Sequence, residues 1–507
     1  MTVMLATFME VLDTSVANVA LPHIAGGMAV DVQESTWVLT SYLVSNAIVL
    51  PLSGWLSSLF GRKNVFLTCV GLFATSSFLC GIAPNLDALI LFRVFQGIGG
   101  GALQPVSQAI LLESFPPQKR GQAMAVFGMG VVVAPIVGPT LGGWLADDYS
   151  WRWIFFINVP IGLLSIFLTS LLVFDPPYLE RKRLGAVKID YMGLGLISLG
   201  LGCLQVFLDK GQTEDWFASR LIIVTGTIAF LCLAMLIVWE LVCSSPVVNL
   251  RLMKDRNFAM GVLTMFVLGF ILYGSLLLLP VLLQQLLGYT ATLAGMVLSP
   301  GGILTLVMMP IVGTLVARVQ ARYLIMVGLG IVAYSMFYMA HFDLQIDFRI
   351  AVIARAIQGA GLAFLFVPIN VAAFLFIARE KTGQGTAIIN LIRNIGGSSG
   401  IAYVTTLLAR DTQAHQNYLV HTLTPLNPLY NQAVAGIQAT LIQQGVSPAQ
   451  APMRTLGVLY RALIQQATML AYDDTFRILG VISLALIPFM FLLKSVKGRA
   501  GEMPAAH

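Results

Sequence analysis

Charge is what this 507-residue chain has least of: Asp, Glu, Lys and Arg make up 10% of it, and His adds five residues. Soluble domains carry roughly 25% charged residues, so a chain built around an ordinary water-facing surface is excluded. Cysteine is also sparse. Cys69, Cys80, Cys203, Cys232 and Cys243 fall in or at the ends of apolar runs without the paired spacing of a metal site, which excludes a thiolate zinc centre and reads them as small core residues. No G-x-x-x-x-G-K-[ST] loop occurs, so the phosphate cradle of a self-contained ATP-driven pump is missing. The N-terminus lacks a separate basic region and a cleavage site, and the first apolar run is expected to be a retained helix rather than a signal peptide.

What the chain has instead is 57% hydrophobic residues and a mean hydropathy of +0.85. A helix needs about 20 apolar residues to cross roughly 30 Å of hydrocarbon. About fourteen runs meet that need, near 2–22, 36–58, 65–83, 87–113, 123–144, 153–174, 190–208, 220–242, 258–282, 293–317, 323–341, 350–377, 385–408 and 475–493. The fold class expected is an all-α membrane protein.

The net charge of +6 has a topological explanation. Arg62, Lys63, Lys119, Arg120, Arg181, Lys182, Arg183, Lys188, Arg251, Lys254, Arg256, Arg318, Arg322, Arg379, Lys381, Lys494, Lys497 and Arg499 all follow even-numbered runs, 18 of the 29 basic residues. The opposite loops hold Asp31, Glu34, Asp87, Asp147, Asp148, Asp209, Glu214, Asp215, Asp343, Asp347, Asp411, Asp473 and Asp474. The positive-inside rule then puts both termini in the cytoplasm, and no nucleic-acid partner is needed to explain the charge.

The chain repeats itself. "RVFQGIG" at 93–99 returns as "RAIQGAG" at 355–361 and "GQAMA" at 121–125 as "GQGTA" at 383–387, both at an offset of 262; "PLSGWL" at 51–56 returns as "PIVGTL" at 310–315 at an offset of 259. Helices two, four and five therefore correspond to ten, twelve and thirteen. Two six-helix halves in one orientation follow, with helices seven and eight inserted between them. The domains expected are an N-terminal bundle over 1–174, a linker with the two inserted helices over 175–257, a C-terminal bundle over 258–494 and a cytoplasmic tail over 495–507. Parallel repeats of this kind are related by an axis along the membrane normal. Residues 409–472 form a long loop on the acidic side, with Val434, Ile437, Leu441, Val458, Leu459, Leu463 and Ile464 at helical spacing; it is either a spacer or a docking surface for another protein.

Four stretches carry a family resemblance. "LDTSVANVALP" at 12–22, "GWLSSLFGRK" at 54–63, "RVFQGIGGG" at 93–101 and "APIVGPTLGG" at 134–143 resemble the motifs of the fourteen-helix drug:proton antiporters of the major facilitator superfamily, close to the EmrB-type multidrug efflux permeases. The resemblance implies the major facilitator fold and a secondary transporter rather than an enzyme: a proton-driven, cofactor-free multidrug exporter of hydrophobic, often cationic or weakly acidic compounds. It assigns gating and antiporter roles to Gly54, Gly61, Arg62, Lys63, Gly97, Gly138, Pro139, Gly142, Gly143 and, by the repeat, Arg355. Ser58 stands where the loop motif usually has Asp, which weakens a gating role for a carboxylate there. The long outer loop further implies a periplasmic membrane-fusion adaptor (EmrA-type), an outer-membrane channel (TolC-type) and residence in a Gram-negative inner membrane.

Proton exchange needs a group that changes protonation where both partners influence it, and intramembrane charges are functional candidates because an unpaired one is expensive. Asp13 lies roughly 14 Å below the outer end of its helix and Arg93 roughly 9 Å deep in its own, at 1.5 Å per residue, compatible depths for a pair. Glu10 shares a face with Asp13, and the proton is expected on Asp13 alone or shared with Glu10. Glu113, at the inner end of helix four, is either a proton exit or an interfacial residue. In the second half Arg355 repeats Arg93, and Arg393 stands near mid-membrane between Asn390 and Asn394. With no carboxylate in that half's core, these arginines orient substrate, bind anionic groups or organise the conformational change. Asn46, Gln96, Gln104, Gln108, Tyr273 and Gln284 complete the cavity candidates. On helix five Gly130, Ala134, Gly138 and Gly142 form a small-residue stripe for close helix approach.

Two competing readings remain. "GGSSG" at 396–400 fits a nucleophile-elbow pattern but sits in an apolar helix, and "GIGGGA" at 97–102 fits a loose dinucleotide pattern but follows no strand, so an intramembrane enzyme is disfavoured. An importer or facilitator on the same fold is the other.

Overall fold

A computed structural model describes residues 2–116, 119–174, 190–243 and 246–494. Most of the basic linker, including Arg181, Lys182, Arg183 and Lys188, and the tail with Lys497 and Arg499 lie outside these residues. The chain is helical throughout, with no strand among the described residues. The spanning helices are α1 Thr2–Val19, α2 Trp37–Phe60, α3 Arg62–Gly81, α4 Leu86–Ser114, α5 Arg120–Asp148, α6 Trp153–Leu172, α7 Tyr191–Lys210, α8 Arg220–Val242, α9 Arg256–Leu286, α10 Ala291–Leu315, α11 Ala321–Met339, α12 Phe348–Ala373, α13 Thr382–Val420 and, after α14 Pro428–Gln443, α15 Ala451–Leu486. Twelve of these pass a test of length and hydropathy for a membrane span, and α1 with the following helix Leu21–Met28, bent by 63°, makes a thirteenth. Helix α13 is long enough at 39 residues, but the polar side chains it turns inward keep it below the apolar threshold.

The internal repeat is a repeat of packing. Within the first half α1 packs on α5, α2 on α4, α3 on α4 and α3 on α6; within the second, α9 packs on α13, α10 on α12, α11 on α12 and α11 on α15. Lipid is as apolar as Leu, so burial of apolar area does not choose these partners; close backbone approach and polar bonds do. The glycine stripe of α5 supplies the first. Gly130, Gly138 and Gly142 lie against Met4, Ser15 and Val16 of α1, and a Cβ on Gly142 would stand 2.9 Å from Val16 Cγ1. The stripe thus seats α1 inside its own half. Gly143 faces open space, and Pro135 and Pro139 lie within α5. Caps mark the helix starts where the sequence provides them: Asn85 accepts from Ala88 N at 2.9 Å and Asp255 from Phe258 N at 2.8 Å.

The inserted pair is peripheral on one side and a clasp on the other. Only 17% of the α8 window is buried, against 61% for α9 and α12, so α8 faces lipid. Helix α7 touches both halves: Lys210 and Asp209 bond Thr36 and Thr40 beside α2, while Gln205 accepts from Ser398 at 3.1 Å on α13.

Candidate functional site

The first-half core closes around Asp13. Its Oδ2 accepts from Arg93 Nη1 at 2.5 Å, and its Oδ1 accepts from Gln96 Nε2 at 2.9 Å and Asn158 Nδ2 at 2.7 Å. Arg93 also donates through Nε to the Val38 carbonyl at 3.0 Å and lies 4.4 Å from the Tyr42 ring centroid and 5.6 Å from that of Phe155. Both charged side chains are shut away from solvent. Four helices, α1, α2, α4 and α6, meet in this cluster. The carboxylate is thus held by a guanidinium and two amides, all from its own half.

Glu10 has different company. Three residues along a helix of 3.6 per turn leave two side chains about 60° apart, enough to turn Glu10 from its own half towards the other. Its Oε1 accepts from Asn46 Nδ2 at 3.2 Å and Tyr42 OH at 3.4 Å, and its Oε2 from Gln104 Nε2 at 2.5 Å. Gln104 Oε1 in turn accepts from Arg393 Nη2 of α13, and Asn394 lies beside that guanidinium at 3.5 Å. One turn along α4, Gln108 accepts from Asn390 Nδ2 at 2.5 Å and donates to Asn370 Oδ1 at 2.5 Å. A polar column on α4, Gln104 and Gln108, therefore bridges the halves. All direct partners of the Glu10 carboxyl are neutral, so protonating it breaks no ion pair.

Expected site residues fall into three groups. Asp13, Arg93 and Gln96 share the first-half cluster, and Glu10, Asn46, Gln104, Gln108, Asn390, Arg393 and Asn394 share the interface. Tyr273 is half-buried beside them, its ring against Gly397. Gln284 is not with them: it is exposed in the π-helical turn Leu282–Leu286 that follows Pro280, because the wider turn rotates it off the inward face. Glu113 is also apart, in an ion pair with Arg62 at the basic-loop end, and Lys63 there donates to the Ser170 carbonyl at 2.7 Å. Sequence reasoning missed Tyr42, Asn158 and Asn370. Asn158 and Asn370 are each a lone polar side chain in an apolar run, and that is the available signal; Tyr42 stands among Thr40, Ser41, Ser45 and Asn46 and has no such signal.

At the basic-loop end the halves meet backbone to backbone. Gly54 of α2 abuts Gly383 of α13, and Gly313 of α10 abuts Gly121 of α5; the offsets of 259 and 262 carry one pair into the other. Gly61 takes a φ of 83° between α2 and α3, which glycine adopts freely. A Cβ on Gly54 would lie 2.9 Å from the Gly383 carbonyl oxygen, and backbone cannot yield as a side chain can. Gly54→Val is expected to oppose closure by about 1–3 kcal/mol, lowering the closed-to-open ratio about 10- to 100-fold. The rate of maleimide labelling of a cysteine placed at Gln384, compared with and without the substitution, measures this.

The Major Facilitator Superfamily model matches residues 3–401. The chain is 38% identical over 493 residues to the fatty acid resistance protein FarB of Neisseria gonorrhoeae, covering 97% of this chain and 94% of that one. It is 36% identical over 505 residues to the multidrug export protein EmrB of Escherichia coli (strain K12), covering 99% and 96%. Among solved structures, the proton:xylose symporter XylE superposes with a TM-score of 0.59 at 14% identity, covering 97% of this chain and 94% of that one; this likeness is one of fold.

Proposed function

From the premise that the chain belongs to the Major Facilitator Superfamily, we propose that it exchanges protons for hydrophobic toxic compounds through the interface between its halves, with Glu10 as the group that carries the proton. The protein is a multidrug exporter of the superfamily's type, a secondary transporter and not an enzyme. The observation that carries the proton assignment is the chain Glu10–Gln104–Arg393, the one place among the described residues where a carboxyl group is linked through a single amide to a cation of the opposite half. While Glu10 is ionised, its charge fixes the Gln104 amide with Oε1 towards Arg393 and ties α4 to α13. A proton on Glu10 removes the charge-assisted part of the Glu10–Gln104 bond, which frees the Gln104 amide to turn from Arg393 and loosens the tie between the halves. Substrate entering the cavity competes for the same amide and returns Glu10 to the ionised form. The Asp13–Arg93 cluster keeps α1, α4 and α6 together throughout.

Compounds that are cationic or weakly acidic fit a cavity that offers one titrating carboxyl and one guanidinium. The likeness to a multidrug exporter and to a fatty acid resistance protein supports both classes. Ethidium accumulation in everted vesicles, whose cytoplasmic face points outward, tests the coupling. Accumulation that collapses with a protonophore is the expected result; transport indifferent to it would make the protein a facilitator.

The acidic-loop end supports a place in a bacterial inner membrane beside an adaptor protein. Helix α13 continues to Val420 and α15 begins at Ala451, so both project past the bundle and carry α14 between them. His415 and Asp474 tie the two at 2.8 Å. The apolar residues at helical spacing do not form the outward surface: Val434, Ile437, Leu441, Leu459 and Ile464 are half-buried and Leu463 is buried, because that stripe packs α14 onto α15, and Val458 alone of the set is exposed. The outward apolar residues are chiefly others, Leu426, Leu429, Met453, Leu456 and Tyr460, with Leu426 93% exposed and Met453 77%. This is the surface we assign to a periplasmic membrane-fusion adaptor, itself joined to an outer-membrane channel. Replacing Pro428–Gln443 by a short flexible linker is expected to abolish crosslinking to a co-expressed adaptor while efflux in vesicles continues. Crosslinking that survives would return this region to the role of a spacer.

A further inference from the structure

The repeat that carries Arg93 to Arg355 also shows what Arg355 lacks. The offset of 262 carries Gln96 to Gln358 and Asp13 to Ser275, and the bonds follow: Gln96 donates to Asp13, and Gln358 Nε2 donates to Ser275 Oγ at 2.6 Å. The offset of 259 carries Tyr42 to Gly301. That correspondence is spatial as well, since Gly97 lies against the Tyr42 carbonyl and its counterpart Gly359 against the Gly301 carbonyl. The carboxylate that pairs with Arg93 and the nearer of its two aromatic rings are thus replaced, the first by a hydroxyl and the second by a glycine. Arg355 is 2% exposed. Its Nη1 donates to Gln358 Oε1, its Nε is buried without a partner, and no carboxylate of the described residues pairs with it.

A guanidinium cannot shed its charge, and a buried one without a counter-ion is expensive in hydrocarbon. Two uses of the same scaffold follow: the first half supplies its own anion and is locked, and the second leaves the anion to be supplied from outside. We propose that Arg355, with Gln358 and Ser275, is a binding site for a monovalent anionic group, filled during export by the carboxylate of an acidic amphiphile and otherwise by chloride. The amphiphile's alkyl chain needs only the apolar surroundings that α9, α10 and α12 provide. This rests on the exporter reading and narrows the substrate class for one half of the molecule.

Thermal unfolding of the purified full-length protein in neutral detergent tests it, titrated with laurate below its micellar concentration, with dodecanol as the uncharged counterpart and with sodium chloride. Wild type is expected to be stabilised saturably by laurate and not by dodecanol. In Arg355→Gln the laurate affinity is expected to fall about tenfold or more, the loss of a charge-assisted hydrogen bond. Ser275→Asp keeps the arginine and installs the carboxylate the first half already has. It is expected to unfold at higher temperature than wild type without any anion and to respond to none. Stabilisation of wild type by chloride alone, lost in both variants, would assign the same site to the inorganic anion. Laurate stabilisation that persists in both variants, or that dodecanol reproduces, overturns the proposal. Ethidium efflux by wild type separates this failure from that of the exporter reading: efflux without a laurate response removes the anion site only, and no efflux removes the reading on which it rests.

Discussion

Asp13→Asn is expected to lower the stability of the folded protein by about 3–5 kcal/mol, the usual result of stripping one partner from a buried ion pair. The large effect follows from the burial of the cluster. Arg93 has no solvent to turn to and spends one guanidinium nitrogen on Asp13 and Gln96 together. An asparagine keeps the shape but removes the charge, and its amide would confront the donors of Gln96 and Asn158. The double variant Asp13→Asn with Arg93→Gln is expected to recover most of the loss, since the penalty lies in the orphaned cation more than in the missing bond. Thermal unfolding in detergent of the two single variants and the double one checks this. Additive losses would show that the pair is not a unit.

Glu10→Gln is expected to leave the fold intact and to break the link between proton and substrate. Glutamine is isosteric and keeps one oxygen for Tyr42 and Asn46 while its amide nitrogen faces Gln104, and no cation is orphaned, because Arg393 reaches Glu10 only through Gln104. The molecule is then fixed in the equivalent of its protonated form. Transport of ethidium into proteoliposomes driven by a pH gradient is expected to fall about 10- to 100-fold, the range of an ordinary coupling free energy, while exchange of ethidium at equal concentrations without a gradient continues. Loss of both activities together would make Glu10 a binding group and not a coupling one.

The contrast between these two carboxylates was only half legible in the sequence. Residues 2–22 announce an apolar helix with two acids in it, and the internal repeat announces two halves around a central path; both features appear in the fold. The direction each acid faces depends on a 60° difference around the axis of α1 and on where α5 seats that helix, and no local pattern encodes it. The same limit explains Gln284, which a π-helical turn carries outward, and the missed Asn158, whose importance comes from a partner 145 positions away. Helix α13 shows the opposite case. An apolar criterion ends it near 408, but nothing in the following residues breaks a helix, and it runs on to Val420. The repeat proved most informative where it fails. Ser275 at the position of Asp13 is unremarkable as a letter and becomes meaningful only beside a buried arginine.

Substrate-induced proton release tests the central assignment most directly. The purified protein is held in lightly buffered detergent solution with a pH indicator, and ethidium is added. The wild type is expected to release protons as ethidium binds, and Glu10→Gln, binding ethidium by fluorescence, is expected to release none. Undiminished release from Glu10→Gln would contradict the account and move the proton to another group.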